Sequence, residues 1–191
     1  MSSASIPLRP AVFLDRDGVL NAAEVSDGKP LAPTSVDRLR VLPRVAEACV
    51  LLRAAGYFLI IVTNQPDLAR GLQTAAAIED IHSAIAQQLP IDDIRMCPHD
   101  DADNCTCRKP LPGLLLSSAA DHHLDLSRSY MVGDRWRDVE AGHRAGCATV
   151  LIRNHYNERQ AEGPDKVAND LYEAAQWILS SGPSRGERRG L

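Results

Sequence analysis

The sequence has no apolar run approaching the about 18–20 residues that a helix needs to cross a bilayer. Its first ten residues, MSSASIPLRP, lack the basic start and following apolar stretch of a secretion signal. It also lacks a basic excess: 21 Lys and Arg stand against 25 Asp and Glu, a formal net charge of −4. That balance argues against a nucleic-acid surface, and the short GERRGL ending does not reverse it. A cytoplasmic protein is expected, one that works without nucleic acid or membrane. Aromatic residues are few, at 4%, and cysteines number only five. An odd cysteine count fits disulfides poorly, and in a reducing compartment clustered cysteines point instead to metal binding or catalysis.

What is present is an ordinary globular composition, 45% hydrophobic and 24% charged, over 191 residues. One well-buried core, and so one domain over residues 11–181, is expected, with an N-terminal extension at 1–10 and a flexible tail at 182–191. A monomer is expected.

Short runs rich in β-branched residues alternate with longer stretches of helical period, the pattern of an α/β fold built on a parallel sheet. Strands are expected at residues 11–15, 57–63, 94–97, 129–134 and 147–153. Helices are expected at 43–55, with Pro43 opening the first turn, and at 74–89, with Thr74 as N-cap. Others follow at 113–123, 136–145 and 172–179, and residues 18–42 read as irregular, with turn residues at Asp27, Gly28, Pro30 and Pro33. Cys49 and Cys147 lie in apolar segments and read as core. His82, His122, His123, His143 and His155 have no evident partners and are expected at the surface or at helix ends.

In open parallel sheets ligands sit outside the carboxyl ends of the strands, so the residues there carry the functional reading. After the first strand comes FLDRDGVLN, where Asp15 ends an apolar run and Gly18 allows a tight departure. A turn at Asp17 would bring both carboxylates to one site, one to attack and one to move protons. After the second comes TNQ, whose Thr63 and Asn64 offer neutral donors, although such residues are also common in turns. After the third comes CRKP with Arg108 and Lys109; after the fourth VGDRWRD, with Asp134 and, one helical turn on, Asp138. Carboxylates beside phosphate suit Mg²⁺, while an N-cap role for Asp134 is the plain structural alternative.

Taken in this order, FLDRDGVLN, TNQPDLARG, CPH with CTCRKPLPG, and YMVGDRWRD resemble the haloacid dehalogenase superfamily of phosphohydrolases, more narrowly its histidinol-phosphatase and heptose-bisphosphate-phosphatase branch. The resemblance runs from about Val12 to Ile152. It implies a three-layer Rossmann-like parallel sheet with Asp15 as nucleophile and Asp17 as general acid and base. It implies Mg²⁺ on Asp15, the carbonyl of Asp17 and Asp134, with Asp138 nearby, and phosphoryl oxygens held by Thr63, Asn64 and Lys109.

The stretch CPHDDADNCTCRKP spaces Cys97, His99, Cys105 and Cys107 as Cys-x-His, five residues, Cys-x-Cys. Three thiolates and an imidazole fill the four positions of a structural Zn²⁺ and leave none for water or substrate. A Cys105–Cys107 disulfide would close a very small strained ring, and a Cys97 bridge would leave His99 unexplained. Asp100, Asp101 and Asp103 are competing ligands of harder character. Zinc would stiffen a long loop whose end carries Arg108 and Lys109, with Arg108 free to reach the rest of the substrate or a second phosphate by bidentate bonding.

No insertion is long enough for a separate cap domain, so an open site for a small phosphorylated metabolite is expected. The resemblance implies heptose bisphosphate, through LARG and CRKPLPG, with histidinol phosphate as the alternative and a non-catalytic zinc-containing module as the alternative of another class. Two positions depart from the branch: Arg135 stands where heptose enzymes often have lysine at a substrate-binding position, and Asp67 where a small residue is common. AEVS at residues 23–26 matches the heptose enzymes poorly.

Overall fold

The computed structural model describes residues 7–182. The first six residues of the expected N-terminal extension, and all of the expected tail except Gly182, lie outside the described residues. Backbone bonds begin at Arg9, whose N–H donates to His123 and whose carbonyl accepts from Asp125.

Five expected strands form, at β1 (Ala11–Leu14), β4 (Phe58–Asn64), β5 (Asp93–Cys97), β6 (Tyr130–Gly133) and β7 (Ala148–Ile152). A sixth, β8 (Lys166–Ala168), pairs with β7; three residues with one lysine carry too little periodicity to be seen in the sequence. The sheet is parallel throughout, in the order β5-β4-β1-β6-β7-β8. The chain builds outward from β1 to β4 and β5, then returns to β6 on the other side. That reversal places the switch point between β1 and β6, where ligands of such sheets bind.

Strand side chains alternate between two cores, as the period of two requires. Val12 and Leu14 pack with Val45, Ala48, Cys49 and Leu52 of α1 (Val45–Ala54), and with residues of α2 (Ala75–Gln88) and α5 (Leu171–Ser181). Ala11 and Phe13 pack on the opposite side with α3 (Gly113–His122) and α4 (Trp136–Ala145). The result is the expected three layers. Cys49 and Cys147 are buried in these cores.

Thr74 caps α2 as expected, accepting from the Ala77 N–H at 3.2 Å. α1 departs from expectation: Pro43 precedes the helix, and Arg44 takes a left-handed backbone at φ 60° before the first turn begins at Val45. The stretch after Asp17 is less irregular than expected. Within it β2 (Glu24–Ser26) and β3 (Lys29–Leu31) form an antiparallel hairpin closed by Asp27 and Gly28, both at positive φ. β2 is exposed and both strands are too short for an alternating pattern, so only the turn is visible in the sequence. Among the described residues no helix is long and apolar enough to cross a membrane.

Candidate active site and cysteine loop

The carboxyl ends of β1, β4 and β6 bring Asp15, Thr63 and Asp134 together with Lys109, which arrives from the loop after β5. All four are buried. Lys109 Nζ donates to Asp15 Oδ1 at 2.7 Å and to the Val62 carbonyl at 2.8 Å, and lies 2.6 Å from Asp138 Oδ1. Its three donors are thereby used. Asp138 also accepts from the backbone N–H of Arg135, at 3.0 Å, so it caps the start of α4 as well as facing Lys109.

Asp15, Asp134 and Asp138 each present an oxygen within 4.8 Å of the others. Three buried carboxylates against one lysine leave an excess of negative charge. Burial, then the neighbouring Asp138 charge, raises the Asp15 carboxyl to about 6 against the pull of Lys109. Burial and the charges of Asp15 and Asp138 raise Asp134 well above the usual carboxylate range. The proton affinity of Lys109 is raised too, but by its partners: burial alone would lower it, and Asp138 and Asp15 overcome that. Asp134 Oδ1 is buried with no hydrogen-bond partner. Excess negative charge, a cluster of hard oxygens and an orphaned carboxylate oxygen together fit a divalent cation such as Mg²⁺.

Asp17 points into a separate polar network. Its Oδ1 accepts from Asn21 at 2.9 Å and Arg16 Nε at 3.1 Å; its Oδ2 accepts from Arg16 Nη2 and Gln65 Nε2, each at 2.9 Å. The second amide proton of Gln65 goes to Thr63 Oγ1 at 2.8 Å, which fills a lone pair of that hydroxyl and leaves its own proton to donate elsewhere. Arg16 Nη1 lies 3.1 Å from His82 Nε2. His82 is thus a buried partner of Arg16, not the surface or helix-end residue expected, because α2 turns it onto that fully buried arginine. His122 and His143 are also partnered, by Asp93 at 2.7 Å and by Thr149 at 3.1 Å. His123 and His155 are exposed.

Asn64 sits beside Lys109 rather than facing open space. Its side-chain amide donates to the Lys109 carbonyl at 3.0 Å and its oxygen accepts the Lys109 N–H at 3.1 Å, so it pins that residue's backbone. Arg135 is engaged by Glu158 through contacts of 2.5–3.1 Å.

Cys97, His99, Cys105 and Cys107 converge, each with a ligand atom within 4.8 Å of the others, and all five cysteines are free. Five of the six edges of this group measure 3.2–3.7 Å. Sulfurs held about 2.3 Å from a tetrahedral zinc stand about 3.8 Å apart, so the four residues fit that ion. The acidic middle of the loop has a use that its sequence does not announce. Asp100 and Asp103 cap a short helical turn, Asp100 accepts both ends of Arg70 at 2.7 and 2.8 Å, and Asp101 accepts Arg108 at 2.7 Å and Arg137 at 3.3 Å. Arg108 is therefore tied to its own loop, donating also to the His99 carbonyl at 3.1 Å.

Sequence reasoning missed Arg16, Asn21, Gln65 and His82, and with them the loop after β7. There Asn154, Tyr156 and Glu158 contact Asp134 and Arg135. The same attention to strand ends, carried to a fifth strand, would have found that loop.

Comparison with known proteins agrees with this geometry. A family model described as HAD-hyrolase-like matches residues 106–174. D-glycero-D-manno-heptose-1,7-bisphosphate 7-phosphatase of Thermosynechococcus vestitus is 37% identical over 195 aligned residues, covering 90% of this chain and 96% of the relative. D-glycero-beta-D-manno-heptose-1,7-bisphosphate 7-phosphatase of Rhodopseudomonas palustris is 40% identical, covering 75% and 83%. Among solved structures, D,D-heptose 1,7-bisphosphate phosphatase from B. bronchiseptica, complexed with magnesium and phosphate, superposes with a TM-score of 0.78 at 36% identity, covering 91% of this chain and 99% of that one.

Proposed function

The chain belongs to the haloacid dehalogenase-like phosphatases, in their heptose-bisphosphate branch, and on that footing we propose that it removes the 7-phosphate of D-glycero-D-manno-heptose 1,7-bisphosphate. The observation that carries the reading is the meeting of Asp15, Asp134 and Asp138 around Lys109 with one carboxylate oxygen left unpartnered.

In this proposal Asp15 is the nucleophile. Lys109 occupies its Oδ1, which leaves Oδ2 to attack phosphorus and form an aspartyl-phosphate. Phosphoryl transfer demands alignment and charge neutralisation more than covalent chemistry, and the residues present supply both. Lys109 offsets charge at Asp15, the free proton of Thr63 serves a phosphoryl oxygen, and Asn64 acts by fixing the Lys109 backbone. Asp17 protonates the departing sugar oxygen and then takes a proton from the water that hydrolyses the intermediate. Because Asp17 accepts four hydrogen bonds, it must exchange one of those donors for the leaving oxygen.

Asp15 and Asp134, with the Asp17 carbonyl and Asp138 beside them, would hold Mg²⁺. When bound, that ion supplies the positive charge without which a carboxylate and a phosphate ester repel each other. Cys97, His99, Cys105 and Cys107 would hold a structural Zn²⁺ that stiffens the loop leading to Arg108 and Lys109. Arg108 and Arg135 stand as substrate contacts that must leave, or share, Asp101 and Glu158 to reach a second phosphate.

A phosphate-release screen tests the reading. Among heptose 1,7-bisphosphate, histidinol phosphate and common sugar phosphates, the highest kcat/KM is expected for the heptose bisphosphate; a higher value for histidinol phosphate overturns the substrate assignment.

A further inference from the structure

The loop after β7 reaches across to the site at several points. The Asn154 side chain donates to the Asp134 carbonyl and accepts the Tyr156 N–H at 3.0 Å, which closes a tight turn. Tyr156 Oη donates to Asp134 Oδ2 at 2.6 Å. The next residue, Asn157, donates its N–H to the Gly28 carbonyl at 2.8 Å and so ties the loop to the tip of the β2–β3 hairpin.

These contacts divide the Asp134 carboxylate into two unlike oxygens. One is held by a phenol, and the other, Oδ1, is buried and unpartnered, on a carboxylate that clusters with those of Asp15 and Asp138. Rotation of the carboxylate would break the 2.6 Å bond, so the hydroxyl fixes both the plane of the group and the oxygen it offers. The packing allows little else. A Cβ at Gly18 would collide with the Asp134 carboxylate and stand 2.9 Å from Tyr156 Oη, so the turn after Asp17 closes directly on this pair.

We propose that Tyr156 is a positioning residue for the metal: its hydroxyl, held by the turn at Asn154, presents Asp134 Oδ1 to the divalent cation and so sets the affinity of the site for Mg²⁺. The inference rests on the phosphatase reading, in which Asp134 is a metal ligand. Partners that orient a ligating carboxylate commonly matter by about 10–100-fold in affinity.

The test is Mg²⁺ binding without substrate, by calorimetric titration of the wild type, Tyr156→Phe and Glu158→Ala, the last of which frees Arg135 but leaves Asp134 alone. Tyr156→Phe is expected to weaken Mg²⁺ binding about 10-fold or more, while Glu158→Ala stays within about threefold of wild type. The rise in Tm on adding Mg²⁺, taken within each variant, gives the same comparison if a variant is less stable at baseline. Tyr156→Phe within about threefold of wild type overturns the inference, as does an equal loss in Glu158→Ala, which would assign the effect to the loop as a whole. A wild type that binds no Mg²⁺ overturns the phosphatase reading itself, a separate outcome.

Discussion

Lys109 Nζ and Asp15 Oδ1 stand 2.7 Å apart although 94 positions separate them in the chain, joining the end of the cysteine loop to the end of the first strand. The contact is buried, and the same ammonium meets Asp138 at 2.6 Å. Removing a buried charge leaves its partners uncompensated, at a cost of about 3–5 kcal/mol. Lys109→Met is therefore expected to lose about that much metal-free stability in urea unfolding, to recover part of it with Mg²⁺, and to lose about 100-fold or more in kcat. Wild-type stability and turnover in this variant would remove Lys109 from the centre of the site.

The cysteine loop delivers that lysine, so its metal should be felt in catalysis. Purified protein is expected to carry about one zinc per chain. Cys105→Ser should lower zinc content and stability, and should lower kcat more than it raises KM, since a misplacement on the order of 1 Å can cost about 100-fold. Metal analysis with thermal unfolding and steady-state kinetics checks this; a zinc-free wild type of full stability contradicts it.

Arg16 has donors only and no acceptor, so His82 Nε2 accepts from it, is unprotonated, and the ring is neutral. Burial, then the Arg16 charge, lowers its pKa to about 4 from an ordinary 6.5. Between those values the unfolded chain binds more protons than the folded one. Stability therefore falls as pH drops from 6.5 toward 4. His82→Gln keeps an acceptor for Arg16 but cannot titrate, so its stability should fall less steeply over that window in urea unfolding. Equal slopes in the two proteins would show that His82 is not the group responsible.

The legible parts of this protein were those with a strong local signature. The strands at Val12, Ile61 and Val132 are short, continuous apolar runs, and each ends in polar residues. What stayed hidden was set by tertiary contact. His82 looks like any helical histidine until α2 is laid over Arg16, and Arg16 looks like a surface arginine until Asp17 and His82 take up its guanidinium. Tyr156 lies 22 positions from Asp134, with nothing local to link them. The aspartates at 100, 101 and 103 read as spare metal ligands, whereas Asp100 and Asp101 gather Arg70, Arg108 and Arg137 around the loop and Asp103 accepts the Asp100 N–H. The β2–β3 hairpin was invisible because three-residue strands are too short to show a period, and β2 is exposed throughout.

Phosphate release from heptose 1,7-bisphosphate by Asp15→Asn, beside the wild type and with Mg²⁺ present, tests the account most directly. The substitution keeps the size of the side chain and removes the nucleophile. The account predicts a loss of about 10⁴-fold or more in kcat, with the fold intact by circular dichroism; turnover within about tenfold of wild type would contradict it.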